Sequence, residues 1–108
     1  MFFHFNQNNS GGSFHIDEDV AHHVIIEARD AREANRKAES IGIYFDGVDD
    51  GRDCECCGDR WYSAWGEGNT EPLIYGEPPE QYADVFTRKG EPVCHVYYLD
   101  GRKATYRK

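Results

Sequence analysis

The sequence contains no long hydrophobic run and few basic residues. No stretch of its 108 residues approaches the roughly 20 consecutive apolar residues of a membrane-spanning helix, so we expect no membrane partner. No basic segment followed by an apolar run stands near its start, so we expect no signal peptide and a cytoplasmic location. Twelve Lys and Arg against 20 Asp and Glu give a net charge of −8. Because nucleic-acid binding depends on neutralising phosphates, we predict no DNA or RNA partner.

Apolar residues are also scarce, at 39% of the chain against the usual ~45–50%. Six Phe, seven Tyr and two Trp offset that shortage, because each ring can bury about 150–250 Å² in a core or a pocket. The length leaves room for one hydrophobic core rather than two. We therefore predict a single domain over residues 1–108.

The four cysteines lack the pattern of a complete zinc site. Cys54 and Cys57 have the CxxC spacing of a zinc knuckle, but tetrahedral zinc requires two further ligands and there is no second CxxC. Either Cys94 or the adjacent His95 could supply one ligand, and His4, His15, His22 or His23 would have to complete the set. We predict no metal and no cofactor, with zinc on Cys54, Cys57 and Cys94 as the alternative. In the cytoplasm the cysteines are expected to stay reduced.

Motifs of catalysis are absent from the sequence as well. It contains no HxxxH pair, no GxSxG and no recognisable triad. The tandem His22-His23 stands at the start of a predicted strand, where we expect adjacent side chains to diverge. We therefore predict a binding protein rather than an enzyme, with a small nucleotide hydrolase left open.

Local patterns predict a strand–helix–strand unit in the first half of the chain. Phe2–Asn6 alternates aromatic and polar residues, and His22–Ala28 is rich in β-branched residues, so each predicts a strand. A helix is predicted over Asp30–Ile41, because the first residue can cap it and Glu33 completes a capping box. Its small alanine face predicts close packing on a sheet. Ile43–Phe45 is predicted as the strand that follows.

The end of the chain predicts a β-hairpin. Val93–Leu99 and Arg102–Tyr106 flank Asp100-Gly101, which favours a two-residue type I′ turn. Such a turn pairs Tyr97 with Ala104. The predicted fold class is α+β: a small, mostly antiparallel sheet with one main helix packed on it and a C-terminal β-hairpin.

A short segment in the middle of the chain combines arginine with aromatic rings. The residues predicted to bind a ligand there are Arg52, Arg60, Trp61, Tyr62 and Trp65. A guanidinium can hold a phosphate with two hydrogen bonds, and an indole can stack on a base. The alternative is that Trp61 and Trp65 belong to the core and that Arg60 pairs with Asp59.

A polar loop near the start, NQNNSGG at positions 6–12, supplies further hydrogen-bonding groups. We predict that Asn8, Asn9 and Ser10 contact the ribose or phosphate of a nucleotide. The loop lacks the GxGxxG order and the Walker lysine, so it is not a nucleotide fingerprint. An ordinary hairpin loop is the alternative interpretation.

Three stretches resemble a family of small orphan proteins encoded by tailed bacteriophages: FNQNNSGGSF, IGIYFDGV and DCECCGDRW. The resemblance covers roughly residues 1–76. It implies a role against host defence, since some small phage proteins are sponges, compact oligomers that bind cyclic or ADP-ribose-derived nucleotide signals.

Together these points lead to one functional prediction. The chain is expected to be a phage accessory protein that binds and sequesters a nucleotide-derived host immune signal without catalysis. It is expected to act as a homo-oligomer in the cytoplasm of the bacterial host. The alternative is a zinc-stabilised or acidic protein-interaction module that inhibits a host factor.

Overall fold

The computed structural model describes residues 1–8, 14–53 and 55–108, and these form a four-stranded mixed sheet with one helix. The strands lie in the order of the chain: β1 (Phe2–Asn6), β2 (His23–Glu27), β3 (Pro92–Tyr97) and β4 (Lys103–Arg107). β1 runs antiparallel to β2 and β3 antiparallel to β4, whereas β2 and β3 are parallel. The predicted α+β class, with a mostly antiparallel sheet and a C-terminal strand pair, is confirmed.

The helix α1 spans Ala31–Ser40 and begins and ends where its local signals predict. The side chain of Asp30 accepts a hydrogen bond from the backbone N–H of Glu33 at 2.8 Å, which satisfies one of the free donors of the first turn. Gly42 follows the helix with a φ of 103°, a left-handed conformation that glycine adopts without steric cost. Both boundaries are therefore fixed by local chemistry.

Alanines on α1 pack against one face of the sheet. Ala34 and Ala38 are fully buried, and their small side chains let the helix approach the strands closely. The sheet-side partners are apolar residues of two strands and one loop: Phe3, Phe5, Val24, Ile26 and Trp61. This cluster is the larger of two hydrophobic cores among the described residues, one on each face of the sheet.

The strand predicted at Ile43–Phe45 is wrong, since this stretch is irregular. β2 instead pairs in parallel with β3, so the crossover runs through α1 and the long irregular segment between Ser40 and Pro92. Ile43 is buried in the core beneath the helix, whereas Tyr44 and Phe45 are half-buried. The apolar run therefore reflects burial rather than strand pairing.

The hairpin forms, but its predicted register is wrong. Instead of Tyr97 pairing with Ala104, the N–H of Tyr98 donates to the carbonyl of Arg102 at 2.9 Å, so three residues rather than two turn the chain. Gly101 is left-handed with a φ of 95°, but the residue before it is not, and a type I′ turn needs both. The one extra loop residue moves each cross-strand partner by one position.

The other face of the sheet is covered by irregular chain. Ile74 and Tyr82 pack there against Phe2, Ile25 and Val96. The described residues contain no helix with the length and hydrophobicity that crossing a lipid bilayer requires. The candidate site lies on this second face, near the end of β1 and the beginning of β2.

Candidate functional site

Four ionisable side chains meet on the second face of the sheet: His4, His22, His23 and Asp84, here called the histidine cluster. His22 Nδ1 lies 2.5 Å from Asp84 Oδ2, and His23 Nδ1 lies 2.8 Å from His4 Nε2. The remaining nitrogen of His23, Nε2, is 4.0 Å from Asp84 Oδ2. The cluster therefore joins β1, the start of β2 and the irregular segment before β3.

The side chains of His22 and His23 converge, contrary to the prediction that they diverge. Their ring centroids are 4.0 Å apart with an interplanar angle of 32°. The reason is that β2 begins at His23, while His22 lies in a bend before the strand. The alternation of side chains across a strand therefore does not apply to this pair.

Asp84 is buried and held by several hydrogen bonds. Its carboxylate accepts from the Thr87 hydroxyl at 2.7 Å and from the backbone N–H of Phe86 at 2.9 Å, besides the contact with His22. Burial acts to raise the pKa of Asp84, but these hydrogen bonds outweigh it and keep the pKa below its usual value. The buried carboxylate is thus ionised at neutral pH.

Both His4 and His23 are neutral at pH 7. Burial, with a further contribution from His22, lowers the pKa of His23 to about 3 and that of His4 to about 4. His23 is only 1% exposed, and among the described residues its Nε2 atom has no hydrogen-bond partner. An unsatisfied buried polar atom costs about 1–3 kcal/mol, so this nitrogen is an exception that calls for a partner.

A cleft of about 440 Å³ opens over the cluster. Its lining includes Asn6, Asn8, His22, His23, Tyr62, Tyr75 and Phe86. A second depression of about 330 Å³ shares Asn6, Tyr62 and Tyr75 with the first and adds Trp65 and Asn69. Because they share three residues, the two depressions adjoin, and together they are called the aromatic groove below.

Several rings of the aromatic groove face solvent rather than the core. The exposed fractions are 60% for Tyr62, 65% for Tyr75 and 87% for Trp65. Tyr75 also contacts His4 edge to face, with ring centroids 5.0 Å apart. The backbone φ of Tyr75 is 49°, a left-handed conformation that bulky residues rarely adopt. The surrounding structure therefore holds the backbone of Tyr75 in a strained conformation.

Three of the predicted ligand-binding residues lie at the groove. Asn8 and Tyr62 line the cleft over the cluster, and Trp65 lines the adjoining depression. The amide of Asn8 donates to the carbonyls of Cys57 at 3.0 Å and Asp59 at 3.2 Å. It thereby connects the loop that contains Cys57 to the end of β1. The chemistry of these side chains had suggested a joint site, and the fold brings the three to the same groove.

Trp61 and the arginines occupy other positions. Trp61 is 1% exposed and packs in the core beneath α1, so its indole is not accessible to a ligand, as the alternative interpretation held. Arg60 Nη1 donates to Gln7 Oε1 at 2.9 Å, and the guanidinium of Arg52 lies 4.9 Å from the centroid of the Tyr44 ring. Within the described part of the chain, neither arginine lines the groove.

The remaining predicted positions carry less structural information. Asn9, Ser10 and Cys54 lie outside the described residues. Cys94 is fully buried, and burial raises the pKa of its thiol, which disfavours the thiolate that zinc requires. In residues 1–8, 14–53 and 55–108, the one group of three or more potential metal ligands is His22, His23 and Asp84, and it contains no cysteine.

Sequence reasoning missed the histidine cluster as a unit. The tandem His22-His23 was a visible signal, and His4 lies on the same face of the sheet as His23 because β1 and β2 pair with Asn6 opposite His23. Asp84 carried no signal, since it follows a proline-containing stretch without periodicity.

The chain can be compared with known proteins at the level of sequence and structure. No curated protein and no solved structure matches it. One protein family does match, and the match extends over residues 1–108. The chain therefore belongs to the family described as Domain of unknown function (DUF7296).

Proposed function

We propose that the protein binds a small nucleotide-derived ligand in the aromatic groove without changing it. The observation that carries this proposal is the set of exposed rings, Tyr62, Tyr75 and Trp65, beside the amides of Asn6 and Asn8. Each base stacked on an aromatic ring contributes about 1–3 kcal/mol. The amide of Asn6 supplies both donors and acceptors for the edges of a base and for ribose hydroxyls, whereas the donors of the Asn8 amide are already bonded to the carbonyls of Cys57 and Asp59.

The size of the groove supports the same proposal. Its two depressions measure about 440 and 330 Å³, and small-molecule sites typically measure about 300–1,000 Å³. Because Tyr62 and Tyr75 belong to both depressions, a ligand with two planar groups can place one on each side of these rings. Cyclic dinucleotides and ADP-ribose derivatives have such a shape.

Electrostatics favours recognition through base and ribose rather than through phosphate. Among the described residues neither Lys nor Arg lines the groove, and the ionised Asp84 lies beneath it. The net charge of −8 adds a weak repulsion that salt screens beyond about 8 Å. We therefore expect the phosphates of the ligand to point toward solvent or toward a second chain.

The biological part of the proposal is sequestration of a host immune signal in the bacterial cytoplasm, as the resemblance to phage proteins implies. A sponge must bind tightly, and a dissociation constant near 1 nM needs about −12 kcal/mol. The high exposure of Trp65 and Tyr75 shows that a single chain leaves the groove open. We therefore propose a homo-oligomer in which a second copy closes the groove over the ligand.

Calorimetry with the purified full chain tests the proposal. The panel consists of cyclic dinucleotides and cyclic ADP-ribose isomers. Each ligand is recovered after the titration, and its mass is measured by mass spectrometry to test whether it is chemically unchanged. We expect submicromolar binding of at least one nucleotide, unchanged recovery, and at least 10-fold weaker binding by Tyr75→Ala and Trp65→Ala. Leu99→Ala is the matched control, because Leu99 is 52% exposed at the hairpin turn and lies outside the groove. Equal binding by all variants, or none below micromolar, would refute the proposal.

A second candidate function is a protein-interaction module that inhibits a host factor. It is favoured by the exposed apolar side chains of Val85 and Phe86, which continue the aromatic surface next to the cleft. Contiguous exposed apolar patches typically mark protein interfaces. This candidate replaces the first if every nucleotide of the panel fails to bind while substitution of Val85 and Phe86 abolishes binding of a protein partner.

A further inference from the structure

We propose that His22, His23 and Asp84 form a binding site for a divalent transition-metal ion of the zinc type at the floor of the groove. One ligand atom from each residue lies within 4.8 Å of the others. Two imidazole nitrogens and one carboxylate oxygen suit zinc and its neighbours in the first transition row. Unlike the CxxC alternative, this ligand set contains no cysteine, and the proposal does not depend on the nucleotide proposal.

Two of the distances between the ligand atoms require only small movements to receive the ion. Bonds of about 2.0–2.2 Å to a tetrahedral zinc place neighbouring ligand atoms about 3.3 Å apart. His22 Nδ1 and Asp84 Oδ2 are 2.5 Å apart; zinc would replace the proton that they share, which is released to solvent, and the pair would open by less than ~1 Å. His23 Nε2 and Asp84 Oδ2 are 4.0 Å apart and would close by a similar amount.

The second, independent observation is the unsatisfied nitrogen of His23. Its Nε2 atom is buried, lacks a hydrogen-bond partner within the described residues and lies on the side of the ring toward Asp84. Buried polar atoms in folded proteins almost always have a partner. A metal ion between His23 and Asp84 supplies that partner, which apolar packing cannot.

The groups around the three ligands are those that orient a metal site. The other nitrogen of His23 is 2.8 Å from His4 Nε2, and if His23 donates there, its Nε2 carries the lone pair that binds a metal. Thr87 and the backbone of Phe86 hold the carboxylate of Asp84.

The location of the site gives the ion a role in the groove. Three protein ligands leave the fourth tetrahedral position open, and both His22 and His23 line the cleft. A cation there would offset the charge of Asp84 and offer a ligand position to a hydroxyl oxygen of the ribose, while the phosphates still point outward. This last step rests on the proposed function, whereas metal binding itself does not.

The experiment measures metal binding by the full chain without any nucleotide. Protein freed of metal with a chelator is titrated with Zn²⁺ by calorimetry and with Co²⁺ by absorption spectroscopy, since tetrahedral Co²⁺ with nitrogen and oxygen ligands has its own visible bands. We expect one site per chain, with at least 100-fold weaker binding by His22→Gln and Asp84→Asn. The variant His4→Gln, which removes the imidazole that contacts His23 Nδ1, should bind about 10–100-fold more weakly.

Two controls make the result decisive. His15→Gln removes an exposed histidine that also contacts an aspartate, with His15 Nε2 at 2.9 Å from Asp17 Oδ2, and should bind as the parent does. The double variant Cys54→Ser, Cys57→Ser should retain the site and its Co²⁺ spectrum. Thermal unfolding establishes that each variant is folded. The Co²⁺ spectrum of the parent tests the ligand set even if a variant fails to fold. The proposal is overturned if the parent binds no metal, if His22→Gln binds equally well, or if the spectrum shows sulfur ligands and disappears with the cysteines.

Discussion

His22 and Asp84 are 62 residues apart in the chain, yet their side chains share a hydrogen bond of 2.5 Å between Nδ1 and Oδ2. Both side chains are buried, so this contact fastens the irregular segment before β3 to the start of β2. The same irregular segment carries Tyr75 and Tyr82, and together they form one wall of the groove. This long-range pair is therefore one of the contacts that hold the geometry of the candidate site, together with the backbone bonds between Phe2 and Asn69.

We predict that Asp84→Ala lowers the free energy of unfolding by about 2–3 kcal/mol, because it leaves the buried groups of His22 and Thr87 without their acceptor. Asp84→Asn should cost less, since an amide oxygen can still accept. Urea unfolding measures both. Asp100→Ala is the control: Asp100 is an exposed aspartate bonded to Arg102, and its loss should leave stability nearly unchanged. A change at position 84 no larger than at 100 would contradict the anchoring role.

Ala34→Glu should destabilise the domain strongly. Ala34 is fully buried against the sheet, so the substitution places a charge and a larger side chain into the helix–sheet contact. Overpacking alone costs about 1–3 kcal/mol, and the buried charge adds to that. The matched control is Arg32→Glu at an exposed position of the same helix. If calorimetric melting shows the same Tm for both variants, the packing described for α1 is wrong.

Stability should fall when the pH drops below about 6.5. The pKa values of His4 and His23 fall from an ordinary 6.5 to about 4 and about 3 on folding, so protons bind the unfolded chain more tightly. Their contribution is complete above pH 6.5 and is lost as the pH falls toward those values. At pH 5 the loss is about 2 kcal/mol per histidine.

Urea unfolding at pH 7 and pH 5 measures this loss in the parent and in His4→Gln. His95, whose pKa burial also lowers, contributes in the same window, so we expect the variant to lose less stability than the parent by about the share of one histidine. Asp84 adds little in this window, because its lowered pKa places its own loss at lower pH. Identical stability of the parent at pH 7 and pH 5 would be inconsistent with buried, neutral histidines.

Zinc should stabilise the folded chain through the proposed site. At a free zinc concentration 100-fold above Kd, the free energy of unfolding should rise by about 2.7 kcal/mol, because the ion binds the folded state. A chelator should reverse the effect. Stabilisation of the same size in His23→Gln would show that the ion acts elsewhere.

Local signals predicted the elements that local chemistry determines. The caps at Asp30 and Gly42 and the alternation in Phe2–Asn6 were sufficient for α1 and β1. Strand pairing is a non-local choice, so nothing near Ile43 indicated that the partner of β2 would be β3. The hairpin failed on a finer point, since the φ of Asp100 decides between a two-residue and a three-residue turn.

The candidate site was partly predictable for a similar reason. Asn8 and Tyr62 carry functional groups that suit a ligand wherever they face a cleft, and the fold places them there. Trp61 was misassigned because an indole is equally suited to a core, and the sequence does not indicate which way it points. Tyr75 and Asp84 lie in an irregular segment. Buried and exposed residues do not alternate there with a regular period, so the sequence did not predict which way these side chains face.

The most direct test of the central claim is mass spectrometry of small molecules released from the protein. The full chain and its Tyr75→Ala, Trp65→Ala double variant are purified after expression in bacteria that carry nucleotide-signalling defences. The account predicts an intact nucleotide in near-stoichiometric amount from the parent and at least 10-fold less from the variant. No nucleotide from the parent, or equal amounts from both proteins, would contradict the assignment of the aromatic groove as a nucleotide site.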